Sequence, residues 1–402
     1  MNVLYCHDNV YFHSEMGDIY SSGQFPYSYF VPFIEAFGNV TVIGRGQYLN
    51  KDRDIKKLNV CLGPAIDFAL MPNINSICGL WKYYALVNEK LERLVSEADA
   101  VIIRAVSDIG WLAFHHAKKQ NKPIAMEMSA CAWDSTWNHG SPYGKLYAPV
   151  RYYRDKKMTA QASHVIYVSQ HFLQKRYATQ GVTAMASNVR IERPDPAFLV
   201  RRLEKIRSRG PDDFIVIGLI GTLGHKLKGI HTALQALKHM EHRRPAQFIF
   251  RILGPGNPEP YRAEAEALGL QDHVIFDGTI QTGEKVLDWL MNVDLYIQPS
   301  FQEGVPRATI EAMSRGCPVI GSTAGGIPEL LPSRWLHKPG DYKRLASLML
   351  EMLGDAGLQE QAAQENFEKS KAYASEILTP IRKKFWADFA SYAQGRTREN
   401  AV

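Results

Sequence analysis

Cysteine is scarce in this 402-residue sequence. Its five cysteines, Cys6, Cys61, Cys78, Cys131 and Cys317, lie far apart and are odd in number, with no C-x-x-C and no histidine cluster at zinc-ligand spacing. That leaves no disulfide framework and no structural zinc motif, and points to a reducing compartment. Long apolar runs are missing as well. No stretch approaches the ~18 residues that span a bilayer. The start, MNVLYCHDNVYF, has no basic segment followed by an apolar one, as a secretory signal would. The expectation is a cytoplasmic protein able to touch the inner face of the plasma membrane from the side. Nor is charge of one sign concentrated: 47 Lys and Arg against 41 Asp and Glu give +6. Such a balance suits anionic small molecules or an acidic membrane as well as nucleic acid, but no nucleic-acid-binding module is present. A dinucleotide-dependent dehydrogenase is excluded by the lack of G-x-G-x-x-G after the first strand candidate, NVLYCH.

What is present is alternation. Short apolar strand candidates begin near Asn2, Asn39, Asp99, Lys122 and Ser163, with amphipathic segments such as IGWLAFHHAKKQ between them. The pattern restarts near Asp213, Phe248, His273, Asp294 and Cys317. This is an α/β chain of two parallel-sheet units, and its length favours two domains over one core. The charged, proline-containing stretch from Ser187 to Asp213 has no strand candidate and marks the junction. The expected division is residues 1–190, 191–376 and a terminal amphipathic helix over 377–402.

The segment DLYIQPSFQEGVPRATIEAMSRG carries the most chemistry. A buried strand ends at Ser300, a tight loop follows, and Pro306 suits the first turn of a helix that Gly316 ends. Free amides near Val305, Arg307 and Ala308 then point at the C-terminal edge of the sheet, and such a helix start favours a phosphate. Glu303 and Glu311 flank it. An ionised carboxylate only accepts hydrogen bonds, so each must serve hydroxyls. A nucleotide-sugar offers these on both sides of its diphosphate. Glu303 is then expected at the transferred sugar and Glu311 at the ribose, with Gly304, Val305, Pro306, Arg307 and Ala308 along the diphosphate.

The frame from Asp294 to Leu330 resembles the retaining glycosyltransferases of family 4, with their E-x7-E signature. Glu303, Gly304, Glu311, Ala312, Met313, Gly316, Pro318, Val319, Gly325, Gly326 and Glu329 fall in register. Upstream, GLIGTLGHKLKGIHTALQAL is similar to the family's Gly-rich loop and K-G helix start, through Gly221, Leu223, Lys228 and Gly229. Thr222 stands where the family usually has an arginine, so Lys226 and Lys228, with Arg307 third, are the candidates for the missing charge. The resemblance implies a GT-B fold, two Rossmann-like domains facing across a cleft, with the donor on the second domain and the acceptor on the first. It also implies transfer with retention of configuration, and a branch acting on bacterial surface polysaccharide. No cofactor is expected beyond the nucleotide-sugar donor, UDP-sugars first and GDP-sugars second. A metal-dependent transferase of the other common fold would need a D-x-D after a strand; the one match, Asp52 and Asp54, lies in a charged run and reads as a solvated turn.

Asp277, Gly278 and Thr279 are base-side candidates with a plain glycine turn as the alternative, and Gly254 and Gly256 read equally as a turn. In the first half, Gly23 stands where the family often has a glycine pair. Glu127 falls just after a strand at the cleft edge, placed to orient or deprotonate an acceptor hydroxyl, with Asp134, Trp137 and His139 in a loop suited to stacking on sugar. The basic-aromatic stretch GKLYAPVRYYRDKK has two readings: a contact with anionic lipid beside a lipid-linked acceptor, or a solvated helix face. Two rivals share the fold: a nucleotide-sugar epimerase and an inactive scaffold.

Overall fold

The computed structural model describes residues 1–22, 25–49, 55, 58–138, 142–210, 213–243, 247–280 and 283–399, with backbone alone at 77, 242–243 and 397–399. Gly23, Asp52, Asp54 and His139 lie outside the described residues.

Two sheets are built in succession. The first contains β1 (Asn2–His13), β2 (Ile19–Ser21), β3 (Asn39–Tyr48), β4 (Asn59–Val60), β5 (Ile66–Met71), β6 (Ala100–Ala105), β7 (Ile124–Met128), β8 (His164–Tyr167) and β9 (Val182–Met185). Its order is β4-β2-β1-β6-β7-β8-β9, with β3 beside β1 and β5 beside β3. All pairings are parallel except those of β2. The second contains β10 (Ile215–Ile220), β11 (Phe248–Leu253), β12 (Val274–Gly278), β13 (Leu295–Gln298), β14 (Val319–Ser322) and β15 (Leu336–His337), all parallel, in the order β12-β11-β10-β13-β14-β15. Of the strands that the apolar pattern leaves out, β5, β9 and β15 lie at sheet edges, where one neighbour suffices and burial is incomplete, and β2 and β4 are only three and two residues long.

Helices cover both faces, and their ends carry ordinary capping chemistry. The Asp108–Lys119 helix starts at Ser107, whose hydroxyl accepts from the Gly110 amide at 2.8 Å. It carries Asp108 in its first turn and Lys118 and Lys119 in its last, matching the helix dipole. The junction stretch is mostly helix, Pro196–Ser208, capped by Asp195. Its Arg202, 1 % exposed, donates to the carbonyls of Leu290, Val293 and Arg315, so this helix belongs to the second sheet's side.

The chain then returns. The terminal helix Ser375–Glu399 packs on the Tyr27–Phe37 helix of the first domain, with Trp386 against Phe33 at 4.7 Å and Phe389 against Phe37 at 5.7 Å between ring centroids. Its Arg382 donates to the Ala186 and Ser187 carbonyls and the Asn188 side chain. One continuous apolar layer therefore runs from Phe30 and Phe33 through Trp386 and Phe389 to Tyr296, Ile310 and Met313 of the second domain. Burying each such aromatic contributes about 1.5–3 kcal/mol, so the returning helix fastens the two halves together.

Candidate active site

The order of the second sheet reverses direction between β10 and β13, the two strands that begin its two halves. At such a switch point the loops leaving the C-terminal strand ends diverge and open a crevice. The loops here are Gly221–Gly229 after β10 and Pro299–Val305 after β13, the two stretches that carry the motif residues.

They meet in one ion pair. Lys228 Nζ lies 2.6 Å from Glu303 Oε1. The same oxygen accepts from Ser300 Oγ at 2.8 Å and Gln298 Nε2 at 3.1 Å. Glu303 is 7 % exposed, and its second oxygen has no partner among the described residues. The Lys228 stem reaches it by crossing Gly221: a Cβ there would sit 2.7 Å from Lys228 Cγ and 3.1 Å from its Cβ. Gly221 is thus required for the passage of the lysine. Lys226 does not share this role. It is exposed in the short turn Lys226–Lys228, with His231 and Glu264 as its electrostatic neighbours. Thr222 donates to the Pro255 carbonyl and accepts from the Gly224 amide, tying the loop to its neighbour.

The helix Arg307–Ser314 begins at Pro306 with no side-chain cap. The amides of Val305, Arg307 and Ala308 have no hydrogen bond among the described residues, and Arg307 is exposed. One turn deeper, Glu311 is half-buried, and no hydrogen bond reaches its carboxylate among the described residues. Loss of hydration raises its pKa, partly offset by Arg307. Both carboxylates therefore present acceptor capacity to the crevice, on either side of an uncapped helix start.

The first domain closes over this segment. A Cβ on Gly304 would lie 2.2 Å from the Ser129 carbonyl oxygen, just past β7, and Asn138 Nδ2 donates to the Phe301 carbonyl at 3.2 Å. In the neighbouring loop after β14, Gly325, at φ +60, places its Cα so that a Cβ would meet the Glu303 carbonyl at 2.0 Å. Only glycine fits either place. Glu329 binds the domains directly, accepting from the amides of Gln170, His171 and Phe172 at 2.6, 3.0 and 2.6 Å.

Two expectations from the sequence need correction. Glu127 does not follow a strand at the cleft edge; it is the fourth residue of β7 and 1 % exposed. Arg104 lies 2.7 Å away, and the Tyr5 and Tyr29 hydroxyls donate to it at 2.7 and 2.6 Å. Burial opposes its charge, but Arg104, Arg382 and these hydroxyls hold its pKa down to about 2. So committed, it braces the wall and is a feeble base. Asp277 is also occupied: Arg251 grips it at 2.7 and 3.0 Å and Trp289 Nε1 donates at 2.8 Å. Of that group, Gly278 faces open space at φ +70. Asp134 is held by Arg176 at 2.9 Å, while Trp137 stacks on Trp133 and stays 40 % exposed.

Arg190 escaped the sequence reading, although it sits at the junction that the reading marked. It donates to Ser28 Oγ at 3.3 Å at the start of the Tyr27–Phe37 helix. Burial and the guanidiniums of Arg382 and Arg307 all disfavour its charge. Arg190 and Arg307, from opposite domains, are thus near enough for the charge of Arg307 to act on Arg190. Among the described residues, no group of three His, Cys, Asp or Glu side chains is arranged to hold a metal ion.

Comparison with known proteins bears on the fold and on the second half of the chain. Residues 215–355 match the family described as Glycosyl transferases group 1. The chain is 28 % identical to Protein CapJ of Staphylococcus aureus over 96 % of its own length and 94 % of CapJ. Over a shorter span, 31 % of this chain and 33 % of the relative, it is 33 % identical to the amylovoran biosynthesis glycosyltransferase AmsK of Erwinia amylovora. Among solved structures, sucrose-phosphate synthase of Thermosynechococcus elongatus superposes with a TM-score of 0.66 at 18 % identity, covering 97 % of this chain and 99 % of that one. Anabaena HepE in complex with UDP-glucose superposes with a TM-score of 0.63 at 17 % identity, covering 97 % and 100 %. The chain therefore has the GT-B architecture, and its residues 215–355 are similar to the domain described as Glycosyl transferases group 1.

Proposed function

We propose that the protein is a retaining, metal-independent glycosyltransferase of family 4 type. It moves a sugar from a nucleotide-sugar to a hydroxyl of a saccharide or lipid-linked acceptor in polysaccharide biosynthesis. The observation that carries the reading is the Lys228–Glu303 pair at the switch point, beside an uncapped helix start. The likeness to AmsK, named for amylovoran biosynthesis, supports the polysaccharide context. The HepE complex supports a UDP-sugar ahead of a GDP-sugar.

In this reading the donor diphosphate rests on the amides of Val305 to Ala308. Arg307 reaches it from one domain and Arg190 from the other, with Lys226 at the outer rim. Glu311 takes the ribose hydroxyls. The free oxygen of Glu303 takes a hydroxyl of the donor sugar, and Lys228, 2.6 Å from the other oxygen, holds that carboxylate in place. The bond between the anomeric carbon and the diphosphate oxygen breaks, and its electron pair leaves with the diphosphate. The acceptor oxygen attacks from the same face, and its proton passes to the departing phosphate oxygen. No side-chain base is needed, which suits the commitment of Glu127 elsewhere. The barrier falls most where charge builds on the diphosphate. Fixed cations and amides supply that stabilisation without a metal.

The test begins with thermal melting in the presence of UDP, GDP and their sugars, since a ligand that binds only the native state raises the Tm. Transfer is then measured with the stabilising donor and oligosaccharide acceptors. Donor turnover that rises with acceptor concentration is the expected result. Interconversion of the donor sugar without an acceptor would mean an epimerase, and neither reaction would mean a scaffold.

A further inference from the structure

The Pro142–Gln161 helix lies outside the first sheet, joined to the Asp108–Lys119 helix by Arg151 and Arg154, at 2.5 and 3.1 Å from Asp108. Its inward side buries Ala148, Asp155, Met158 and Thr159. Its outward side also carries large apolar groups: Tyr143 is 51 % exposed, Leu146 79 %, Val150 46 % and Tyr153 69 %. At 3.6 residues per turn these four fall in one narrow stripe. Pro149, Val150 and Tyr153 continue it into a shallow groove walled by Trp111, Arg154 and Lys157. Exposed Lys145, Lys156 and Lys157 lie in or beside the stripe. The helix's one carboxylate, Asp155, is buried at 2 % exposure. A second exposed group, Leu80, Trp81 and Tyr84, opens the Ile77–Glu97 helix. Asn75, just before that helix, and Arg151 both approach Asp8, at 3.1 and 3.9 Å, so the two groups adjoin one end of the domain.

An apolar stripe rimmed by lysines and without exposed acids complements an anionic bilayer. The apolar groups enter the boundary between headgroups and chains, while the lysines remain among the phosphates. We propose that this face of the Pro142–Gln161 helix is where the protein lies on anionic lipid, placing the first domain beside a lipid-linked acceptor. Membrane binding is independent of the donor chemistry, so either property can fail while the other holds. No helix among the described residues is long and apolar enough to cross a membrane, so the contact is one of lying on the surface.

The test is flotation of the full chain with vesicles of phosphatidylcholine, alone or mixed with phosphatidylglycerol. Wild type should partition to the mixed vesicles, less to the neutral ones, and less at high salt. At about fivefold per lysine, the combined change K145Q/K156Q/K157Q should lower partitioning to mixed vesicles about a hundredfold. The change L146S/Y153S should lower it at least tenfold on mixed vesicles and abolish what remains on neutral ones. All five side chains are exposed, so an unchanged Tm should accompany both variants. Equal binding to both vesicle types would overturn the proposal, as would wild-type binding by either variant. So would a wild-type dimer in light scattering that L146S/Y153S returns to monomer, because the stripe would then be a contact between copies.

Discussion

The substitution Gly221→Ala isolates the device that the site depends on. It alters no charge and no group proposed to touch substrate. The new methyl would lie 2.7, 3.1 and 3.2 Å from Cγ, Cβ and Cδ of Lys228. The first two are too near the backbone to swing aside freely, so the lysine must leave its path over the strand end. Its ammonium is then drawn off Glu303, where it now sits at 2.6 Å with side-chain exposures of 25 % and 9 %. A charge-assisted hydrogen bond of this kind is worth roughly 1.5–3 kcal/mol. If it acts in the transition state, kcat should fall roughly ten- to a hundredfold, with a smaller change in donor KM. Overpacking costs about 1–3 kcal/mol of stability, so the Tm should drop modestly while the protein stays folded. Transfer kinetics with the donor found by melting should be compared among wild type, Gly221→Ala, Lys228→Ala and the double variant. The double variant should be about as slow as Lys228→Ala, since Cγ and Cδ are gone and the methyl meets only Cβ, at 3.1 Å. Wild-type kcat in folded Gly221→Ala, or additive losses in the double variant, would refute the reasoning.

Further outcomes follow from the same geometry. Glu303→Ala should cut transfer at least a hundredfold in a folded protein, whereas Glu311→Ala should mainly weaken donor binding, seen as a raised KM. Arg190→Gln should weaken binding of the nucleoside diphosphate about tenfold by calorimetry and leave that of the nucleoside unchanged; equal losses for both would remove Arg190 from the diphosphate. Asp155 is buried, and one of its oxygens has no partner; loss of hydration is the main cause that pushes its pKa up to about 8, and Asp108 and Asp8 add to it. It is protonated in folded and unfolded chains alike at low pH. Between about pH 4 and 8 only the unfolded chain gives up the proton, so folding weakens as pH rises. Asp155→Asn should therefore raise the Tm at pH 7 and lose that advantage near pH 4. A constant gap across that range would contradict it. Trp386→Ala should cost about 3–5 kcal/mol and loosen the terminal helix, measured as faster amide exchange over residues 375–399.

Much of this was legible in the sequence because apolar strands on both sides of the junction alternate with amphipathic helices, and buried parallel strands leave that mark. The Glu303 to Gly326 frame was legible for another reason. Gly304, Gly325 and Gly326 stand where backbones touch, and a glycine forced by contact stays at fixed spacing from the residues it serves. Glu127 was misplaced because an acid after the apolar letters PIAM reads as a strand end, whereas tertiary partners distant in sequence, Arg104 and Arg382, let it stay inside. Asp277 was misread likewise, since Arg251 and Trp289 come from neighbouring elements. Arg190 and the reach of Glu329 to residues 170–172 depend on how the two domains meet. No local pattern records that.

The most direct measurement is a crystal structure of the protein with UDP, or with whichever nucleotide raises its Tm. Phosphate oxygens should lie within hydrogen-bond distance of the amides of Val305, Arg307 and Ala308, and ribose hydroxyls on Glu311. A nucleotide seated on the first sheet, with the start of the Arg307–Ser314 helix left to water, would contradict that placement.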